Sequence, residues 1–103
     1  MQPNGFGVEV EHLDGRVTIR PSGELDLATA PMLERALDDV IDAGQAVVLD
    51  LCGVTFADCA GLEPVRWALH RWPSGRIRIV GARRPVERVL TLTGMQEPLH
   101  AEG

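Results

Sequence analysis

Apolar and polar residues alternate over Val8-Glu9-Val10-Glu11 and again over Val17-Thr18-Ile19, the period of strands with one face buried. Between them stands Asp14-Gly15, a dipeptide suited to a two-residue turn, so the chain is predicted to open with a β-hairpin. Past the polar stretch Ser22-Gly23-Glu24 the period changes. Leu33, Ala36, Leu37, Val40 and Ile41 fall at helical spacing within Thr29 to Ala43, with Thr29 as N-cap, Pro31 in the first turn and Gly44 as the stop. Ala46-Val47-Val48-Leu49-Asp50-Leu51 is a continuous apolar run bounded by turn residues and reads as a central strand covered on both faces, in the middle of a sheet. After a loop, Leu62, Val65, Leu69 and Trp72 mark one face of a second helix that stops near Pro73-Ser74-Gly75. Arg76 to Val80 alternates as another strand. Pro85 to Thr93 gives a third helix, with Val86, Val89 and Leu90 inward and Gly94 at its end.

The predicted order is ββαβαβα. Strands alternating with helices imply an α/β fold with a mixed, mostly parallel sheet and helices mainly on one face. The length of 103 residues suits one domain, with residues 1–6 and 97–103 expected as flexible termini. No apolar run approaches the roughly 18 residues of a membrane span, and Met1 to Gly7 lacks the regions of a signal peptide, which makes the cytoplasm the expected compartment. Net charge is -5, against general affinity for nucleic acid. The charge is uneven: residues 1–60 carry eleven acidic and three basic side chains, residues 61–103 four and seven, and every cation is arginine.

Cys52 and Cys59 are too few for a disulfide framework and lack ligand spacing; Cys52, at the end of a buried strand, is expected in the core. The functional position of such a sheet is the loop that leaves a strand and opens a helix, here Thr55 to Leu62. Asp58 is a suitable N-cap, which makes Cys59 and Ala60 the first helical residues and exposes them at the positive end of the helix dipole. Pro64 is expected to kink or delay the first turn. Asp26, Asp50 and Asp58 each have an ordinary reading as turn or cap residues, which outweighs a metal site. His12, His70 and His100 have no ligand spacing. Trp72 reads as core and Trp67 as partly buried, an interface anchor if exposed. No acid/base pair or phosphate loop stands out, so catalysis is not expected.

Four fragments together carry a resemblance. Val48 to Leu62, Gly23-Glu24-Leu25-Asp26-Leu27-Ala28-Thr29-Ala30, Val80-Gly81-Ala82 and Val86 to Met95 resemble, in order, the pattern of STAS domains, the family of bacterial anti-sigma-factor antagonists. The resemblance implies a partner-binding surface made of the loop from Thr55 to Leu62 and the helix after it. It would include Thr55, Phe56, Asp58, Cys59, Ala60, Gly61, Leu62 and Arg66, with Asp26 flanking, and its partner would be an anti-sigma factor of serine-kinase type. No cofactor on this chain is implied. In the family the serine after the aspartate is phosphorylated by that kinase; matched by position, it is Cys59, and a thiol is not a substrate for a Ser/Thr kinase. Two other readings stand beside this one: a STAS-like subunit of a larger lipid-transport or stress-signalling assembly, and a thiol redox sensor at Cys59, whose place at a helix start would lower a thiol pKa.

Overall fold

A computed structural model describes residues 5–72 and 75–95. Asp14 and Gly15 both take positive φ, 46° and 77°, the conformation that lets a two-residue turn follow the twist of its strands. They join β1 (Gly7–Leu13) to β2 (Arg16–Leu25) with Leu13 opposite Arg16. The remaining elements are α1 (Ala30–Ala43), β3 (Ala46–Asp50), β4 (Gly53–Ala57), α2 (Cys59–Arg71), β5 (Ile77–Val80) and α3 (Arg84–Leu92).

The sheet is mixed and has five strands in the order β1-β2-β3-β5, with β4 also on β2. β1 is antiparallel to β2 and the other pairs are parallel. Two features depart from the sequence reading. β2 does not stop at Ile19: it runs through Pro21, Ser22 and Gly23 to Leu25. The chain expected to be a loop after Leu51 forms β4, so the order is ββαββαβα. The two departures are one event. β2 is long enough to hold two partners end to end on one edge, β3 against Arg16 to Ile19 and β4 against Ser22 to Leu25. Pro21 falls at the break between those partners, where a missing N–H is tolerated.

Register explains the layering. Val17, Val47 and Ile77 stand in one row across β2, β3 and β5, and Ile19, Leu49 and Ile79 in the next; all six are buried. Leu33, Leu37 and Val40 of α1, Leu62, Val65 and Ala68 of α2, and Val86 and Leu90 of α3 complete the core, each fully buried aliphatic side chain contributing roughly 1.5–3 kcal/mol. The alternate residues Thr18, Arg20, Asp50 and Arg78 remain partly or wholly accessible, so the helices cover one face of the sheet, and β3, expected to be covered on both faces, buries only Val47 and Leu49. On the open face Arg20 bridges Glu11 at 2.9 Å and the partly buried Asp50 at 3.4 Å, pairs that solvent screens and that add little to stability. Phe6, expected within a flexible terminus, is fully buried in the core; residues 97–103 lie outside the described residues.

Helix ends follow the expected chemistry. Gly44 caps α1 in the left-handed conformation, its N–H donating to Ile41 at 3.0 Å. After α3 the Gly94 N–H donates to the Thr91 carbonyl and the Met95 N–H to the Leu90 carbonyl at 2.7 Å, while the Met95 side chain is buried. α2 ends at Arg71, and Trp72 is buried beneath the Arg76 guanidinium, 5.7 Å from its ring centroid. No helix among the described residues is long and apolar enough to cross a membrane.

Candidate functional site

The tip of α2 is assembled by three adjoining backbones. β4 runs parallel to the last residues of β2, with Phe56 opposite Glu24 and Ala57 opposite Leu25. The register shifts between Gly23 and Glu24, leaving Thr55 as an extra residue. Such a bulge breaks the inward-outward alternation. Consequently Thr55 and Phe56 both face outward while Val54 and Ala57 on either side are buried.

Beyond Ala57 the chain turns into α2 through Asp58, whose backbone is extended and whose Oδ1 accepts a hydrogen bond from the Gly61 N–H at 2.8 Å. The Leu62 N–H donates to the Asp58 carbonyl, closing the first turn. A cap of this kind stabilises a helix by about 1 kcal/mol. Pro64 does not delay that turn: the helix starts at Cys59 and continues through Pro64. An internal proline costs about 3 kcal/mol or more. Here Leu62, Pro64 and Val65 are all buried, and their combined burial outweighs that cost.

Gly61 lies flat on the end of β2. A Cβ there would stand 2.0 Å from the Leu25 carbonyl oxygen and 2.8 Å from the Asp26 nitrogen, so the close approach permitted by this glycine is to the protein's own backbone. That backbone is held in turn by Asp26 and Thr29. The fully buried Thr29 hydroxyl donates to the Glu24 carbonyl at 2.8 Å and accepts from the Asp26 N–H at 2.9 Å. Asp26 Oδ1 accepts from the N–H groups of Ala28 and Thr29. Thr29 flanks α1 as foreseen, but it braces the turn instead of capping the helix with its side chain.

Of the residues singled out by the sequence, Cys59 is exposed, Ala60 half-buried and Gly61 and Leu62 buried. Arg66 is exposed on the outer side of α2 and paired with Glu63 at 3.0 Å. Leu27, which pattern reading passed over, is 76% exposed in the Asp26–Thr29 turn beside the tip, and Phe56 is 48% exposed. A leucine between Asp26 and Ala28, outside the helical spacing that begins at Leu33, was the available signal. Trp67, expected to be partly buried, is 60% exposed farther along α2. The tip therefore presents a thiol and apolar groups around free N–H groups, with no acidic residue in the first helical turn. Asp26, Asp50 and Asp58 serve as turn and cap residues, and among the described residues no three metal-ligating side chains come together.

Cys52 corrects the sequence reading: it is exposed, in the turn by which the chain leaves β3 and begins β4. Its N–H donates to Asp50 Oδ1 at 3.0 Å and its carbonyl accepts from Arg83 at 2.8 Å. The hydrogen bond to Asp50 and the charge of that carboxylate push the Cys52 thiol above its ordinary value. Partial burial works to raise the Asp50 carboxyl, but the hydrogen bonds from Cys52 and the Arg20 guanidinium outweigh it and hold the group below its ordinary value of 3.8. A lowered carboxyl favours the folded state above its unfolded pKa, and that contribution disappears as pH falls through the folded value. Asp50→Asn is therefore expected to destabilise the domain at pH 7, by about 1 kcal/mol, and the difference from the native chain should shrink only as pH falls below the ordinary carboxyl value of 3.8. The same variant should speed alkylation of Cys52 by iodoacetamide severalfold at pH 8, since more thiolate forms once the carboxylate is gone. Denaturation curves at the two pH values and peptide-resolved alkylation rates check both.

Comparison with known proteins agrees with this architecture. The STAS domain family matches residues 7–101. The anti-sigma F factor antagonist of Paenibacillus polymyxa is 33% identical over 92 residues, spanning 85% of this chain and 79% of that protein. The crystal structure of an anti-sigma factor antagonist from Mycobacterium paratuberculosis superposes with a TM-score of 0.83 at 30% identity, over 93% of this chain and 84% of that one. The Bacillus cell fate determinant SpoIIAA in its phosphorylated form shares the fold alone, with a TM-score of 0.68 at 19% identity over 86% of this chain and 85% of that one. By the match across nearly its full length, and by the identity to these antagonists, the chain belongs to the STAS domain family.

Proposed function

We propose that this protein is a non-catalytic regulator that docks on an anti-sigma factor of serine-kinase type through the tip of α2, and by doing so frees a sigma factor. The observation that carries the reading is an exposed Cys59 at the first position of a helix capped by Asp58, with Thr55, Phe56 and Leu27 exposed on the adjoining β4 and Asp26–Thr29 segments. Exposed apolar side chains around unsatisfied N–H groups make a surface that gains from being covered. Membership of the STAS family supports it, as does similarity to proteins named as anti-sigma factor antagonists. Asp58 and Gly61 shape the tip; Cys59, Ala60, Thr55, Phe56 and Arg66 meet the partner, and Leu62 anchors the helix beneath it. The site of action on this reading is the cytoplasm.

Cys59 takes the place that the family resemblance gives to a phosphorylated serine. A phosphate there would add about -1.5 to -2 charge, which the helix start tolerates and a partner packed over it does not. With a thiol in that place, a Ser/Thr kinase has no hydroxyl to modify, and the complex is not released by this route. Incubated with its cognate anti-sigma kinase and Mg-ATP, the native chain is expected to gain no phosphate by intact-mass measurement. Cys59→Ser should gain one, located at residue 59. Phosphate on Cys59 or Thr55 of the native chain would contradict the reading.

A further inference from the structure

The surface between α1 and α2 is built by two matching strips. Glu34, Leu37, Asp38 and Ile41 on α1 face Pro64, Trp67, Ala68 and Arg71 on α2, each set at the i, i+3, i+4, i+7 spacing of one helix side. They enclose a groove of about 310 Å³. That is at the small end for a ligand site and suits one or two side chains of a partner better than a whole element. The floor is aliphatic, from Leu37, Ile41, Pro64 and Ala68, and the indole of Trp67 is exposed along one wall.

The charges on the rim indicate what fits. Arg71 pairs with Asp38 at 3.4 Å, so one carboxylate of the groove already holds a guanidinium. One turn earlier on α1 stands Glu34, which among the described residues has no ion pair or hydrogen bond. Asp39 and Asp42 add to the acidic character of that helix, relieved within it only by Arg35. An unmatched carboxylate beside an exposed indole over an aliphatic floor complements one side-chain type. A guanidinium stacks on the ring by its face, pairs with the carboxylate by its edge, and lays its alkyl stem on the floor. The protein uses the same stacking internally, with Arg76 over Trp72.

We propose that the α1–α2 groove is a second docking site, which receives an arginine presented between aliphatic side chains by a partner protein, with Trp67 and Glu34 as its recognition pair. Trp67 lies eight residues beyond Cys59, about 12 Å along the helix axis, and about 100° around the helix from Arg66, so the groove adjoins the docking surface proposed for the α2 tip on another side of the helix and does not rest on the function proposed for it.

The test uses the isotope-labelled full chain and two amphipathic helical peptides of leucine, alanine and glutamine, one with a single central arginine and one with the neutral isostere citrulline. The arginine peptide is expected to shift the Trp67 indole N–H resonance and the amides of Glu34 to Ile41. Both the citrulline peptide and the Glu34→Gln chain should bind about fivefold more weakly or worse. Glu34 is exposed, so its variant folds, and unchanged resonances elsewhere verify that. Equal binding of the two peptides, no shift in the groove at millimolar peptide, or groove shifts that follow protein concentration without peptide, which would make a second copy the occupant, each overturn the proposal.

Discussion

Replacing Gly61 by alanine is expected to remove roughly 3 kcal/mol or more of folding stability, a large share of the 5–15 kcal/mol typical of a domain. The added carbon would sit 2.0 Å from the Leu25 carbonyl oxygen and 2.4 Å from its carbon, atoms of backbone and not the movable end of a side chain. Leu25 cannot retreat cheaply. Its side chain is fully buried, it stands opposite Ala57 in the parallel ladder, and its carbonyl accepts the Asp58 N–H at 3.3 Å. Asp26 beyond it is tied to Thr29. Relief of the clash therefore means lifting the first turn of α2 off β2, which withdraws Leu62 from the core and weakens the cap. Chemical denaturation measures the loss. Ala60→Gly, the neighbouring exchange at a half-buried position, serves as the comparison and should cost only about 1 kcal/mol. A loss at Gly61→Ala no larger than that would mean the helix start is not seated as described.

Cys59→Glu is expected to have the opposite profile, leaving the fold intact and disabling the docking. A carboxylate at the first position of a helix interacts favourably with the positive end of its dipole, by about 0.3–1 kcal/mol, which offsets repulsion from the capping Asp58 and from Glu63 four residues on. Stability should stay within about 0.5 kcal/mol of the native chain. Covered by a partner, the same charge loses its water and meets bulk where the thiol had left room, and affinity for the anti-sigma partner should fall by about a hundredfold, the 2–5 kcal/mol of a poorly matched buried charge. Titration calorimetry beside a thermal melt separates the two effects. Affinity within twofold of native would show that residue 59 lies outside the contact.

The pattern of apolar residues was enough to find the hairpin, all three helices and the strands β3 and β5, because each is a periodic or continuously apolar segment with unambiguous ends. Asp14-Gly15 marks a turn needing two positive φ values, and Gly44 and Gly94 mark helix stops. β4 was not legible for a definite reason. Its burial runs inward at Val54, outward at both Thr55 and Phe56, and inward at Ala57, so the bulge erases the period of two by which strands are recognised. The far half of β2 was hidden by the polar stretch Ser22-Gly23-Glu24, which interrupts the alternation of the strand where its partners on one edge change. Cys52 looked like core because the apolar run ends beside it; the chain in fact turns outward there to start β4, as Asp50 receives the Cys52 N–H.

At the site, the cap was readable from one residue type at one position, since Asp58 precedes the helical spacing and does bond to Gly61. The role of Gly61 was readable only in kind. A glycine in a helix start signals close approach, but which backbone approaches depends on β2 reaching Leu25, the part of the strand that the sequence concealed. The exposure of Leu27 depends on the Asp26–Thr29 brace, a tertiary feature built from hydrogen bonds that periodicity does not encode.

Amide hydrogen exchange of the chain alone and in complex with its anti-sigma factor locates the contact most directly. The N–H groups of Cys59 and Ala60 have no helical acceptor in the free protein, and they should exchange quickly there. In the complex, slowed exchange is expected over Thr55 to Arg66 and in the Asp26–Thr29 turn, with the open face of the sheet unchanged. Protection confined to other surfaces, with the tip of α2 exchanging as fast as in the free chain, would contradict the account.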